Sequence, residues 1–382
     1  HPVAALPFAL RWATMLVSML LWAGPSASDA TTDARSVKDL SPGFHALGDL
    51  PGGPQASRSL AISADGRVVV GASIVDAAER EAAFVWRAET GLVRLGDLPG
   101  GAPVSRAAAI SADGRHVVGT SQSSSGKEAY LWSAETGMLG LGDLPSGIFS
   151  SVGRGVSADG VVAVGISHSI SGVRTGRRAF RWTRETGMVD LGSLEGGRPS
   201  SGAHDVSADG RIVVGFAASA RGREACRWLA SGERRGLGDL PGGAFDSQAL
   251  AVSADGKTIV GIATTAKGSQ PFRWTARAGL RSLGSLRGGR PGGRAEDVSD
   301  DGRTIVGVAV TDEGQTAFLW TPERGLRRLA AILTEREIGP PEGWRLEQAN
   351  AVSGDGRVVA GTAINGRGER EAFVAVLAAA AE

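Results

Sequence analysis

The chain has 382 residues, 42% of them hydrophobic, with 57 glycines and a formal net charge of +1. That hydrophobic fraction excludes a disordered chain, and the glycine content suits turn-dense β structure. The near-neutral charge supplies no field of one sign to draw the chain to nucleic acid or anionic lipid.

At the N-terminus, Arg11 precedes an uncharged apolar run from Trp12 to Ala23, then Gly24, Pro25 and small residues. This is the form of a secretory signal peptide over residues 1–30, with cleavage near Ser28 or Ala30. The run is shorter than the ~20 residues that span a bilayer, and no later segment reads as a membrane anchor. Residues 31–42 are expected to be a flexible leader, and the protein to be exported to the periplasm or beyond.

From there a single unit repeats. SADG or a near copy begins at Ser63, Ser111, Ser157, Ser207, Ser253, Ser299 and Ser353, at spacings of 48, 46, 50, 46, 46 and 54 residues. In the first unit, four short strands are expected near Arg58–Ser63, Arg67–Ser73, Ala82–Arg87 and Leu92–Asp97. They are joined at Asp65-Gly66 and at Glu89-Thr90-Gly91, and one unit passes to the next through Pro99-Gly100-Gly101. Helical periodicity is absent from the repeats. A four-stranded unit of ~46 residues has the length of a propeller blade, so the fold expected over residues 43–379 is an all-β, seven-bladed β-propeller, with 380–382 a tail. The seventh unit stops after a third strand, Glu371 to Leu377, while a fourth-type strand, Phe44 to Leu50, stands alone before the first unit. Donating that strand to the last blade closes the ring and leaves no open sheet edge.

Most recurring residues have structural readings. Trp86, Trp132, Trp182, Trp228, Trp274 and Trp320 share one slot of the third strand, where an aromatic fills the space between blades; Ala375 takes the seventh slot, so that seam should pack differently. Asp65, Asp113 and their cognates occur once per blade and are expected to shape turns. The Asp of LGDL gives way to Ser193 and Ser285, which favours local hydrogen bonding over charge. Cys226, the only cysteine, occupies a Phe slot and reads as a buried small hydrophobe. The five histidines have no metal-ligand spacing, and neither a metal nor another cofactor is expected.

The pattern of SADG turn, VVG, Ala-Phe-x-Trp and LGDL-PGG resembles the HAF family of extracellular repeats. The Ala-Phe of its His-Ala-Phe core stands at Ala83-Phe84, Ala179-Phe180, Ala317-Phe318 and Ala372-Phe373. Gly343-Trp344, AVSGDG and EAFVAVL resemble the family's usual closing unit. The core histidine is replaced by Ala82, Glu128, Arg178, Glu224, Gln270, Thr316 and Glu371, so a histidine-dependent role does not carry over. The resemblance implies a secreted bacterial repeat protein without an assigned reaction.

Functional information should lie where the blades disagree. Three residues before each SADG serine stand Leu60, Ala108, Arg154, His204, Leu250, Glu296 and Asn350; five before stand Arg58, Arg106, Val152, Gly202, Gln248, Arg294 and Gln348. Two before, Asp205 and Asp297 replace small residues. If the first strand is innermost, Arg58, Arg106, Arg154, His204, Asp205, Arg294, Glu296, Asp297 and Asn350 form a polar ring at one channel mouth. Such a ring suits a polar ligand such as a sugar, peptide or anionic oligomer, and equally a solvated pore. An enzyme on the same ring, a hydrolase or lyase of carbohydrate or peptide, would use His204 or Glu296 as acid or base. The loop Val173–Arg178, with Arg174, Arg177 and Arg178, and the link Ala331–Glu342 could instead dock a protein or cell-wall partner. The reading taken forward is a monomeric binding or interaction scaffold with no catalysis of its own, whose partners are a polysaccharide, the cell wall or a protein.

Overall fold

The computed structural model describes residues 40–145, 148–171 and 174–377, so the expected signal peptide, most of the leader and the tail lie outside the described residues. The described chain forms seven four-stranded antiparallel sheets. Blade 1 consists of Ser57–Ile62, Val69–Ile74, Glu81–Arg87 and Gly91–Arg94, and the same order repeats around the ring. The first strands of blades 2 to 7 are Gly100–Ile110, Ser151–Val156, Ser201–Val206, Ser247–Val252, Arg290–Val298 and Arg345–Val352. Neighbouring first strands touch one another all the way round, so these strands are innermost.

The ring closes as the unpaired N-terminal strand requires. Gly43–Gly48 pairs with Arg370–Val376 as the outer strand of blade 7, with Phe44 opposite Ala375 and Ala46 opposite Phe373. Blade 2 differs from the expected punctuation: Gly100 and Gly101 belong to its first strand rather than to a free joint, because Gly100 already pairs with Ser123.

Buried residues collect into seven clusters, one per seam between blades. Each slot tryptophan packs toward the preceding blade; Trp86, for example, joins Ala351, Ala360 and Val374 of blade 7. Cys226 is fully buried in its Phe slot, and burial pushes its thiol pKa up. The seam between blades 6 and 7, which lacks a tryptophan, is filled another way. A short helix, Leu329–Glu335, turns Leu329, Ile332 and Leu333 into it beside Ala375, and Phe44 stacks on Phe373 and meets Trp344 edge-on at 5.1 Å. This helix was not expected from the pattern, and it corrects the view of Ala331–Glu342 as a free docking link, since its start is core.

The SADG turn is a hydrogen-bonded unit. Ser63 donates to Asp65 at 2.6 Å, Asp65 accepts the Arg67 N–H, and Ser63 Oγ accepts the Val68 N–H at 3.0 Å. All seven turns repeat the Ser–Asp bond, and the turn glycine sits at φ near +73° in blade 1, where a side chain is strained. Between blades, a serine six residues before the turn acts as a stitch in blades 1 to 5, and Gly293 and Glu347 take its place in blades 6 and 7. Ser105 donates to the Gly96 carbonyl at 2.9 Å and accepts the Ala83 N–H at 3.1 Å, and Ser57, Ser151 and Ser247 do likewise at their seams.

The residue before each Ala-Phe or its cognate is structural in blades 2, 4 and 7. Glu128, Glu224 and Glu371 each accept the N–H of a glycine in their own blade's outer segment, Gly142, Gly238 and Gly48 at 3.0, 3.1 and 3.2 Å.

Candidate functional site

In every innermost strand the pairing register slips between the residues four and two positions before the SADG serine, and in blades 2, 6 and 7 it slips a second time nearer the start of the strand. The residue three before the serine, at the shared slip, is a β-bulge, unpaired and re-aimed. These bulge residues are Leu60, Ala108, Arg154, His204, Leu250, Glu296 and Asn350, and all seven line the central channel. The mixed column of the sequence is therefore a column of bulges.

The channel has two compartments. Its mouth is a cavity of about 420 Å³ that gathers Arg106, Arg154, His204, Arg294, Glu296 and Asn350. The deeper compartment, about 220 Å³, ends at the SADG turns, and there Asp205, Asp297 and Asp300 line it. The expected ring therefore splits. Six of its nine residues meet at the mouth. Asp205 and Asp297 lie deeper because the bulge shifts the strand's alternation, and Arg58 is not among the mouth residues because Glu81 draws it into an ion pair.

Two bulge side chains tether the next blade. His204 Nδ1 lies 2.8 Å from the Ala249 carbonyl and Asn350 Nδ2 donates to the Ser59 carbonyl at 2.8 Å. A carbonyl only accepts, so the His204 proton sits on Nδ1 and Nε2 keeps a lone pair. Burial, with the charges of Arg154, Arg177 and Arg223, lowers the His204 pKa to about 4 against that hydrogen bond, and the ring is neutral at pH 7. It packs 5.6 Å from the Phe216 ring.

Asp205 accepts the Val252 N–H of blade 5 at 2.9 Å; Asp297 accepts the Val352 N–H of blade 7 and its own Val298 N–H, both at 2.8 Å. Burial raises their pKa values to about 7 and about 8, and the Asp205 charge adds to the rise at Asp297. At the floor, backbone bonds run from blade to blade: Ala64 N to Ala112 O, Ala112 N to Ala158 O, then Ala158 to Ala208, Ala208 to Ala254, Asp300 to Gly354 and Gly354 back to Ala64, at 2.9–3.2 Å. Asp300 interrupts the alanines, and Gly354 makes room for it. A Cβ on residue 354 would lie 2.3 Å from the Asp300 carboxylate.

The cations at the mouth are unequal. Arg294 pairs with Glu296 and Arg223 with Asp246, whose Nε–Oδ1 separation is 2.6 Å. Among the described residues, Arg106 and Arg154 have no hydrogen bond or ion pair. Burial lowers both pKa values, and Arg106 and Arg177 depress Arg154 further, only partly opposed by Glu296. The Arg154 side chain is exposed and lines the mouth. His204 and Glu296 share the cavity without a hydrogen bond between them, each held by another group.

Sequence reasoning missed Lys127, an exposed third-strand residue in a cleft of about 280 Å³ that also takes in Arg106 and Arg154. It assigned Arg177 to a loop, Val173–Arg178, whereas Arg177 belongs to the third strand of blade 3, Arg174–Thr183, and lies near enough to the mouth to act on Arg154 and His204. The usable signal was the residue two before each Ala-Phe or its cognate, Glu81, Lys127, Arg177 and Arg223 in blades 1 to 4. Of the other loop arginines, Arg178 pairs with Asp190 at 2.6 Å, and residues 172–173 and the Arg174 side chain lie outside the described residues. No described helix is long and apolar enough to cross a membrane, and no cluster of potential metal ligands occurs among the described residues.

No family model matches the chain, and no curated protein matches its sequence. Solved structures match in fold. An oligogalacturonate lyase from Vibrio parahaemolyticus is 11% identical, with 90% of this chain and 96% of that one covered and a TM-score of 0.55. TolB from Acinetobacter baumannii is 13% identical over 81% and 80% of the two chains, with a TM-score of 0.46. The propeller domain of the trilobed protease from Pyrococcus furiosus is 11% identical over 72% and 84%, with a TM-score of 0.48. At such identities the likeness is one of fold alone.

Proposed function

We propose that the protein is an exported, non-catalytic propeller of the HAF-repeat kind that binds a negatively charged polar ligand at the channel mouth. One observation carries this reading: Arg106 and Arg154 face the same cavity without an ion-paired carboxylate, and the charge of one acts against that of the other. Two like charges left facing each other without a counter-charge are unfavourable, and a carboxylate or phosphate supplies both the charge and the paired acceptors that a guanidinium fork matches. Neutral His204 adds an acceptor at Nε2, suited to a ligand hydroxyl. Catalysis has less support, because burial and the neighbouring arginines keep His204 neutral, its Nδ1 proton is committed to the Ala249 carbonyl, and Glu296 is engaged by Arg294. Export rests on the apolar run after Arg11.

The test is equilibrium binding to an array of acidic and neutral polysaccharides, peptidoglycan fragments and peptides, for the parent and for Arg154→Ala with His204→Ala and Glu296→Ala. The reading expects acidic members to bind the parent and not an equally folded variant. Binding retained by the variant would move the ligand elsewhere, and turnover of any bound polymer would replace the binding module with an enzyme.

A further inference from the structure

Resting on that reading, we infer that the site continues past the mouth into the cleft between blades 2 and 3 and takes a linear acidic oligosaccharide, with carboxylates on at least two sugar units. Arg106 and Arg154 line both cavities, so mouth and cleft are continuous across their side chains. The cleft adds Lys127, which has no ion pair among the described residues. Its one acid, Glu81, is taken by Arg58, and the mouth's one acid, Glu296, by Arg294. Three cations therefore follow one another outward from the channel, each without a counter-charge. A single small anion satisfies one or two of them; a chain with repeated negative charge satisfies all three.

The neutral lining decides between kinds of chain. Thr120 and Gln122 in the cleft and Asn350 at the mouth offer hydroxyl and amide groups, and among the described residues no aromatic ring lines either cavity. Sugar hydroxyls find donors and acceptors there, whereas peptide recognition leans on pockets for alternate side chains. The opposite side of the ring is closed to such a ligand by its own pairs, Arg370 with Glu347 and Gln348 with Gln315, at 3.3 and 3.1 Å.

The experiment is calorimetric titration of the protein and of Lys127→Gln with galacturonate oligomers of one to six units, the same oligomers with carboxyls reduced to alcohols, and poly-glutamate. Lys127 is exposed, so the variant should fold, and circular dichroism checks that. The inference expects affinity to rise with length up to three or four units and to be lost on carboxyl reduction. It also expects longer oligomers to bind Lys127→Gln about tenfold more weakly than the parent. Monogalacturonate binding as tightly as the hexamer, Lys127→Gln showing the parental length dependence, or poly-glutamate outcompeting the oligomers would each overturn the inference and leave an anion site at the mouth. Failure of every anion, short or long, to bind the parent would overturn the proposed function itself.

Discussion

At the floor of the channel, Ala64, Ala112, Ala158 and Ala208 pass backbone hydrogen bonds to the next blade in one repeated geometry, and each Ser–Asp turn copies the last. At the mouth, four residues before those alanines, no two adjacent bulges present the same side chain. Both ends are made by one repeated unit. The floor keeps its backbone geometry from unit to unit because every blade is a link in a closed ring, and its departure at Asp300 is matched by the neighbouring Gly354. The bulge frees one side chain per blade from pairing, and those positions can diverge without disturbing the ladder.

The comparison can be broken most forcefully where floor-side carboxyls depart from the repeat. Asp205 and Asp297 have folded pKa values of about 7 and about 8 against an ordinary 3.8. The folded state therefore holds more protons than the unfolded one between pH about 4 and about 8, and stability falls as pH rises through that window. Replacing both by Asn, which keeps an acceptor for the Val252 and Val352 N–H groups, should flatten this fall by several kcal/mol, up to roughly 10 kcal/mol if both shifts are realised in full, read by denaturant unfolding at several pH values. Parallel profiles for parent and variant would remove the two carboxyls as its source.

Next in size is the turn itself. Gly66→Ala forces a side chain to φ +73° and places its Cβ 2.6 Å from Val358 of blade 7, which should destabilise by about 3 kcal/mol. An unfolding midpoint like the parent's would mean that the turn yields more easily than its uniformity implies.

Smaller again is the compensated pair at the floor. Gly354→Ala should destabilise by roughly 1–3 kcal/mol through contact with the Asp300 carboxylate. Asp300→Ala should recover about 1 kcal/mol or more of that in the double variant, because it restores the alanine arrangement of the other blades. Additive effects would show that the two residues do not compensate.

Smallest should be the change in stability at the mouth. Arg106→Gln and Arg154→Gln remove cations that repel each other, so each should leave stability within about 0.5 kcal/mol or raise it. A large loss would make these arginines part of the scaffold.

The same contrast explains what could be read from the sequence. The period exposed equivalent positions, so the blades, the closing strand at Gly43–Gly48, the tryptophan seams and the unusual seam at Ala375 were all legible. The bulge was not, because one residue left unpaired carries no compositional mark, and without it Asp205 and Asp297 were placed at the mouth. The helix Leu329–Glu335 is too short to establish a period, and its apolar residues resemble those of a strand. Ser57, Ser105, Ser151, Ser201 and Ser247 did recur visibly six residues before the turn, but the N–H groups they accept lie on the preceding blade, 22 residues away for four of them and 315 for Ser57, which no local pattern reveals. Lys127 belongs to a third strand and reaches the site only because Arg106 and Arg154 bridge mouth and cleft.

The most direct test of the central claim, that the floor folds and the mouth binds, is thermal unfolding of the parent and of Arg106→Gln with Arg154→Gln, each with and without excess tetragalacturonate. The account predicts that the variant melts no lower than the parent without ligand, and that ligand raises only the parent's midpoint, by about 2–4 °C. A variant that melts well below the parent without ligand, or that gains as much from the ligand as the parent does, would contradict it.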